Sequence, residues 1–111
     1  MLILIRNLHF RIDQTVRKFI EQSIQRKLEK YGNHIRRVTI QLIDFNSRHD
    51  GNNKSCRIEV RLSTNAIVFV EKISKDLIHS VEEAAERASG AVSRSVGRSR
   101  AKRRSVQLAI D

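Results

Sequence analysis

Between Arg36 and Leu62 apolar and polar side chains alternate, and this alternation limits the available folds more than any other feature of the chain. Val38, Ile40 and Leu42 fall on one side of an extended backbone, with Arg37, Thr39 and Gln41 on the other. Further on, Cys56, Ile58, Val60 and Leu62 alternate with Arg57, Glu59, Arg61 and Ser63. Successive strand residues point to opposite faces, so each run is a strand with one buried and one polar face. The stretch between them, Asn46 to Ser55, is turn chemistry and reads as a mobile hairpin loop. A sheet of this kind needs apolar cover on one side only.

The flanking segments supply that cover. Val16, Phe19, Ile20, Ile24, Leu28 and Tyr31 recur at three- and four-residue steps, the stripe of an amphipathic helix. Asp13 is placed to cap its first amides and Gly32 to end it in a left-handed turn. A second stripe comprises Leu77, Ile78, Val81, Ala84, Ala85, Ala88, Ala91, Val92 and Val96. Ser74 is its expected N-cap, with Asp76 in the first turn facing the positive end of the dipole. Lys102 would land on the apolar stripe, so the helix is expected to fail near residue 100 and Ala101–Asp111 to fray.

Two apolar runs remain. Leu2–Arg6 reads as a strand buried on both faces, and Ala66–Val70 as a fourth strand after a turn at Ser63–Asn65. The order is β-α-β-β-β-α. Its economical arrangement is a two-layer α+β sandwich: a four-stranded sheet with both helices on one face, leaving the Arg57, Glu59 and Arg61 face open. Residues 1–100 are expected to form one domain, and residues 101–111 a basic tail.

Composition removes several classes. At 111 residues and 40% apolar content the chain suits one modest core. Its single cysteine rules out a disulfide framework or a multi-cysteine zinc module. The longest apolar runs, Met1–Ile5 and Ala66–Val70, are too short to span a bilayer. Met1–Ile5 also meets Arg6 at once, unlike a secretory leader. The expected compartment is the cytoplasm, with no membrane partner.

The formal net charge is +10, and it is unevenly placed. Residues 1–86 hold 15 basic and 11 acidic groups, whereas Arg87–Arg104 holds seven basic groups and no acid. That block is an electrostatic footprint for phosphates. Arg87, Arg94 and Arg98 fall on one flank of the second helix, and the first helix ends in Arg26, Lys27 and Lys30. With the helices side by side, these basic ends form one groove. Phe10, Phe19, Phe45, Phe69 and Tyr31 read as core, which argues against base stacking and for folded RNA read through its backbone. A membrane-surface reading of the second helix is poor, since its stripe is mainly alanine and valine.

Catalytic constellations are not evident. His9, His34, His49 and His79 lie in different elements without metal-ligand spacing. Cys56 shares a strand face with Ile58, Val60 and Leu62, the place of a small buried hydrophobe. Glu82, Glu83 and Glu86 near a helix start balance the dipole and pair with Arg87 and its neighbours. The scattered glycines make no phosphate loop. The expectation is a non-enzymatic protein with no cofactor, no metal and no small-molecule substrate.

Two segments carry a family resemblance. The stretch Ile12–Ile20, running on to Lys27-Leu28-Glu29-Lys30-Tyr31, resembles the first helix of the ribosome hibernation-promoting factor and ribosome-associated inhibitor A family, also called sigma-54 modulation proteins. Asp76-Leu77, followed by Val81-Glu82 and Arg87, resembles the start of that family's second helix. The likeness covers about residues 1–100 and matches the family's short form, without a C-terminal dimerisation domain. The chain departs from the pattern at Ile78 (usually tyrosine), at Gly90 (often basic) and at Gly32 (an aromatic). Leucines of the second helix give way to Ala, Ser and Gly, which implies looser packing.

The resemblance implies binding to the small ribosomal subunit and its rRNA, in the channel used by mRNA and tRNA. Occupying that channel would inhibit translation and protect idle ribosomes under stress or in stationary phase. The family's basic positions carry over to Lys27, Lys30, Arg87 and Arg94. Arg98, Arg100, Lys102, Arg103 and Arg104 extend the basic surface. Two alternatives stand beside this reading: a general structured-RNA-binding module of the same fold, and a protein-interaction subunit using the open sheet face.

Overall fold

The alternating runs pair as their pattern predicts. The computed structural model describes residues 1–8, 11–44 and 53–110, with side chains described for residues 1–7, 11–44 and 53–98. Strands β2 (Ile35–Asp44) and β3 (Lys54–Leu62) are antiparallel, with Val38 opposite Val60, Ile40 opposite Ile58 and Leu42 opposite Cys56. Lys54 and Ser55, expected in the hairpin loop, belong to β3; most of that loop, with Phe45, lies outside the described residues, as do His9 and Phe10.

Strand β1 (Leu2–Leu8) runs parallel to β2, placing Ile3 beside Val38 and Ile5 beside Ile40. Strand β4 (Ile67–Ser74) runs antiparallel to β3, placing Val68 beside Val60 and Val70 beside Ile58. The sheet order is β1-β2-β3-β4, so β1 and β4 are its edges. This corrects the expectation that β1 is buried on both faces: Leu2 is 56% exposed, and only Ile3 and Ile5 pack toward the core.

Helix α1 (Gln14–Leu28) begins where Asp13 predicts, the Asp13 carboxylate accepting from the Val16 amide at 2.8 Å. It does not stop on a left-handed Gly32. The chain tightens into a 3₁₀ turn over Glu29–His34 and then extends at Ile35. The left-handed residue is Asn65 instead (φ 71°), in the turn between β3 and β4, where an Asn tolerates that conformation. Helix α2 (Leu77–Ile110) is capped by Asp76 rather than Ser74. The Asp76 side chain accepts from the Ile78 amide at 3.0 Å, and its carbonyl from the Ser80 amide at 3.0 Å. Ser74 lies two residues back, its hydroxyl accepting from the Asp76 amide at 3.3 Å.

Both helices cover the same sheet face. The core joins Ile20, Ile24 and Leu28 of α1 with Val81, Ala84, Ala85, Ala88, Val92 and Val96 of α2 over Val38, Ile40, Leu42, Cys56, Ile58 and Val60. α1 lies toward β1, and α2 lies over β3 and β4. Two buried hydroxyls are satisfied: Ser80 donates to the carbonyls of Asp76 and Leu77, and Ser55 to the Glu71 carboxylate.

The backbone of α2 stays helical through Ile110 rather than failing near residue 100. From Arg98 onward there is no glycine or proline, and Arg, Lys, Ala, Gln and Leu are strong helix formers. Propensity thus sustains the helix after Val96, its last core contact among the described side chains. The projecting rod makes the molecule 60 Å long, with a radius of gyration of 16.3 Å against about 13 Å for a compact chain of this size.

Ile24 has no exposed surface and sits where α1 meets the sheet. Ile24→Ala is expected to lower stability by about 2–5 kcal/mol, read as a shifted urea midpoint with an unchanged slope.

Candidate nucleic-acid interface

The residues expected to bind RNA divide into three groups. The first lies at the end of α1. Arg26 and Lys27 occupy its last turn, where cations complement the helix dipole. Lys27 does not stand free, because its ammonium meets the Glu86 carboxylate of α2 at 2.6 Å. That hydrogen bond, reinforced by the charge of Lys27, holds Glu86 below its ordinary pKa. Lys30 lies over the Tyr31 ring, 5.2 Å from its centroid, a cation–π contact.

The second group is the flank of α2, which faces away from α1. Arg87 reaches down past the sheet edge and donates to the Glu71 carbonyl of β4 at 3.1 Å. Arg94 and Arg98 follow on the same flank, both exposed. A Cβ added to Gly90 would lie 3.5 Å from the Arg94 guanidinium, so that group folds back over the glycine. The third group, Arg100, Lys102, Arg103 and Arg104, sits on the projecting backbone of α2, beyond the described side chains.

This arrangement corrects the single groove. Lys27 meets Glu86, and Phe19 and His79 line the same cleft a little earlier in each helix, so α1 and α2 run parallel. The cleft between them has a volume of about 560 Å³ and is mixed in charge. Arg26 and Lys27 of α1 face Glu82, Glu83 and Glu86 of α2 across it, with His79 beside Glu83 on α2. The glutamates therefore do not pair with Arg87: Glu86 bonds α1, and Glu83 approaches His79 at 3.9 Å. Arg87, Arg94 and Arg98 lie on the β4 side.

The aromatic expectation also changes. Phe69, read as core, is 60% exposed on the open sheet face, and Phe19 is 40% exposed beside the cleft. Tyr31 is half-buried against the core. The open face carries Arg6, Arg37, Arg57 and Arg61 with Glu59 and Glu71. Arg57 pairs with Glu71, which also accepts from Ser55 at 3.1 Å.

Among the described residues no helix is long and apolar enough to cross a membrane, and no group of three or more metal-ligating side chains is gathered. Burial pushes the Cys56 thiol up to about 12, which keeps it protonated and inert.

The model of the sigma-54 modulation protein / S30EA ribosomal protein family matches residues 3–100. The chain belongs to this family. Its fold is shared with the N-terminal domain of Protein Y from Thermus thermophilus, at a TM-score of 0.71 and 21% identity over 85% of this chain and 98% of that one. It is likewise similar to a ribosomal subunit interface protein from Coxiella burnetii, at a TM-score of 0.73 and 15% identity over 87% and 99% of the two chains. No curated protein matches it by sequence. In this family member, the Arg94 guanidinium lies over Gly90, the position where the resemblance implies a basic side chain. The alanines of its second helix are buried, Ala84, Ala85 and Ala88 being at most 1% exposed.

The Arg57–Glu71 pair gives a pH signature. The Arg57 hydrogen bond holds Glu71 below its ordinary value of 4.5, against an opposing desolvation effect and with help from Ser55. A carboxylate depressed in the folded state stabilises it above that ordinary value, and the contribution is lost as pH falls through the depressed one. Glu71→Gln is thus expected to lower the urea midpoint at pH 7, with the gap from the parent narrowing as pH drops below 4.5. A gap independent of pH would show that the charge of Glu71 is not what matters.

Proposed function

We propose that this chain binds the small ribosomal subunit and its rRNA in the channel that holds mRNA and tRNA. By filling that channel it inhibits translation and keeps idle ribosomes in a hibernating state under stress or in stationary phase. Family membership over residues 3–100 is the observation that carries this reading. A ribosome partner would place the chain in the cytoplasm, and the role requires no catalysis or cofactor.

The geometry supports a division of labour among the cations. Lys27 must leave Glu86 before it can meet a phosphate, so its net gain is small. Arg87 fastens the β4 edge while its remaining donors face outward. Arg94 and Arg98 carry no acidic partner among the described residues and are available to phosphates without rearrangement. Arg100, Lys102, Arg103 and Arg104 extend the same helix, adding cations along a rod long enough to follow an RNA groove. Such contacts give affinity and position with little reading of sequence.

Sedimentation with purified ribosomes at low salt tests the proposal. The protein is expected in the small-subunit and whole-ribosome fractions, and to inhibit translation in a reconstituted system. Staying at the top of the gradient would reject it, and loss of the bound protein to competing duplex RNA would favour a general structured-RNA module. Arg94→Ala with Arg98→Ala is the informative variant, since Arg87 also has a structural bond. Binding should weaken, and the salt slope should flatten by about 0.7–0.9 per lost phosphate contact. An unchanged slope would put the interface elsewhere.

A further inference from the structure

The sheet face opposite the helices is unevenly exposed. Near the β2–β3 connection Ile43 is 8% exposed and Ser55 has no exposed surface, while Ile73 in the same row, on the β4 edge, is 48% exposed. At the other end, cross-strand rows bring Leu2, Arg37, Arg61 and Ile67 together, then Leu4, Thr39, Glu59 and Phe69. Phe69 is 60% exposed and Ile67 54%.

Two features of this end call for a ligand. Arg37 and Arg61 are directly opposed on neighbouring strands, where like charges destabilise a sheet. Neither forms an ion pair among the described residues, and the nearby Glu71 is committed to Arg57 and Ser55. The second feature is Phe69, an exposed ring diagonal to Arg61 and directly across from Glu59. Every cation on this face is arginine, whose flat guanidinium both binds phosphate with paired donors and stacks on rings.

We propose that this end of the sheet binds single-stranded RNA, with a base stacked on Phe69 and the flanking phosphates held by Arg37 and Arg61. An exposed aromatic beside a cationic track is the recurring basis of single-strand binding. Glu59 then has a role that phosphate binding alone would not give it, since a carboxylate accepts from the amino group of a base. Adenine carries such a group. The surface lies on the opposite layer from α1 and α2, so a chain seated on a ribosome through its helices keeps it free. A protein partner is the less favoured occupant, because Leu2 on one edge is separated from Ile67 and Phe69 on the other by Arg37, Thr39, Glu59 and Arg61, so the apolar groups make no continuous patch.

The test uses a fluorescein-labelled ten-nucleotide oligoadenylate, with binding read by anisotropy at low salt on the full chain. Phe69→Ala should weaken binding about 5- to 150-fold, the range for one lost stacking contact. The chain has no tryptophan, so Phe69→Trp supplies a single reporter. It should retain affinity, and its emission should be quenched as the oligonucleotide binds. Arg37→Gln with Arg61→Gln should flatten the salt slope by about 0.7 per lost contact. Ribosome sedimentation of Phe69→Ala should match the parent, whereas Arg94→Ala with Arg98→Ala should not, so this inference and the ribosome reading fail separately. Unchanged oligonucleotide affinity in Phe69→Ala, or unquenched Phe69→Trp, would overturn the proposal. If Phe69→Ala instead removed a self-association seen by sedimentation velocity, with RNA binding unaltered, the face would be a protein interface and the proposal wrong.

Discussion

The fold depends on a single apolar layer whose two sides differ in residue size. The strands and α1 bring branched side chains, whereas α2 contributes Ala84, Ala85 and Ala88 at its closest approach. All three are at most 1% exposed. Their shortness lets the helix backbone approach β3 and β4, and the valines at positions 81, 92 and 96 are buried in the same layer. Val96 is the last described side chain with that support, and the strong helix formers beyond it sustain the helix through local propensity. The layer therefore fixes where α2 is anchored, and the point of departure determines how far its basic end reaches.

Pattern alone revealed the element order because the periods are clean where one face is buried. Val38, Ile40 and Leu42, or Ile20, Ile24 and Leu28, each occupy the side their spacing requires. It was uninformative where both faces are apolar. Leu2–Ile5 and Ile67–Val70 contain too few polar residues to show which side chains point inward, and both prove to be edge strands. Edge position is set by which strands lie beside them, a property of the whole sheet. Phe69 was misread for this reason, and with it the exposed aromatic surface. The cap of α2 shows a finer limit: Ser74 and Asp76 are both good N-cap residues two apart, and only the backbone path selects Asp76.

Charge was legible as an amount but not as a set of partners. The sequence places Lys27 and Arg87 among the cations available for phosphate, yet both are engaged within the protein. Lys27 ties α1 to α2 through Glu86. Arg87 occupies a carbonyl on the outer edge of β4, and Arg17 does the same on the outer edge of β1, donating to the Ile5 carbonyl and to Asn7. Each edge strand is thus partly covered by an arginine reaching down from the helix above it, a device that discourages pairing with another chain.

These internal commitments decide which cations remain. Once Lys27, Arg17, Arg57 and Arg87 are counted as bonded, two separate sets of arginines stand without an ion pair among the described residues. One is the flank of α2 at Arg94 and Arg98, which leads into the projecting basic rod. The other is the sheet end at Arg37 and Arg61, beside Phe69. A flat flank of arginines without rings suits a backbone read by its phosphates, as in folded RNA. Arginines beside an exposed ring suit a strand whose bases are free to stack. The two layers of the sandwich therefore present different chemistry to the same class of polymer, and their separation by the apolar core lets each be altered without disturbing the other.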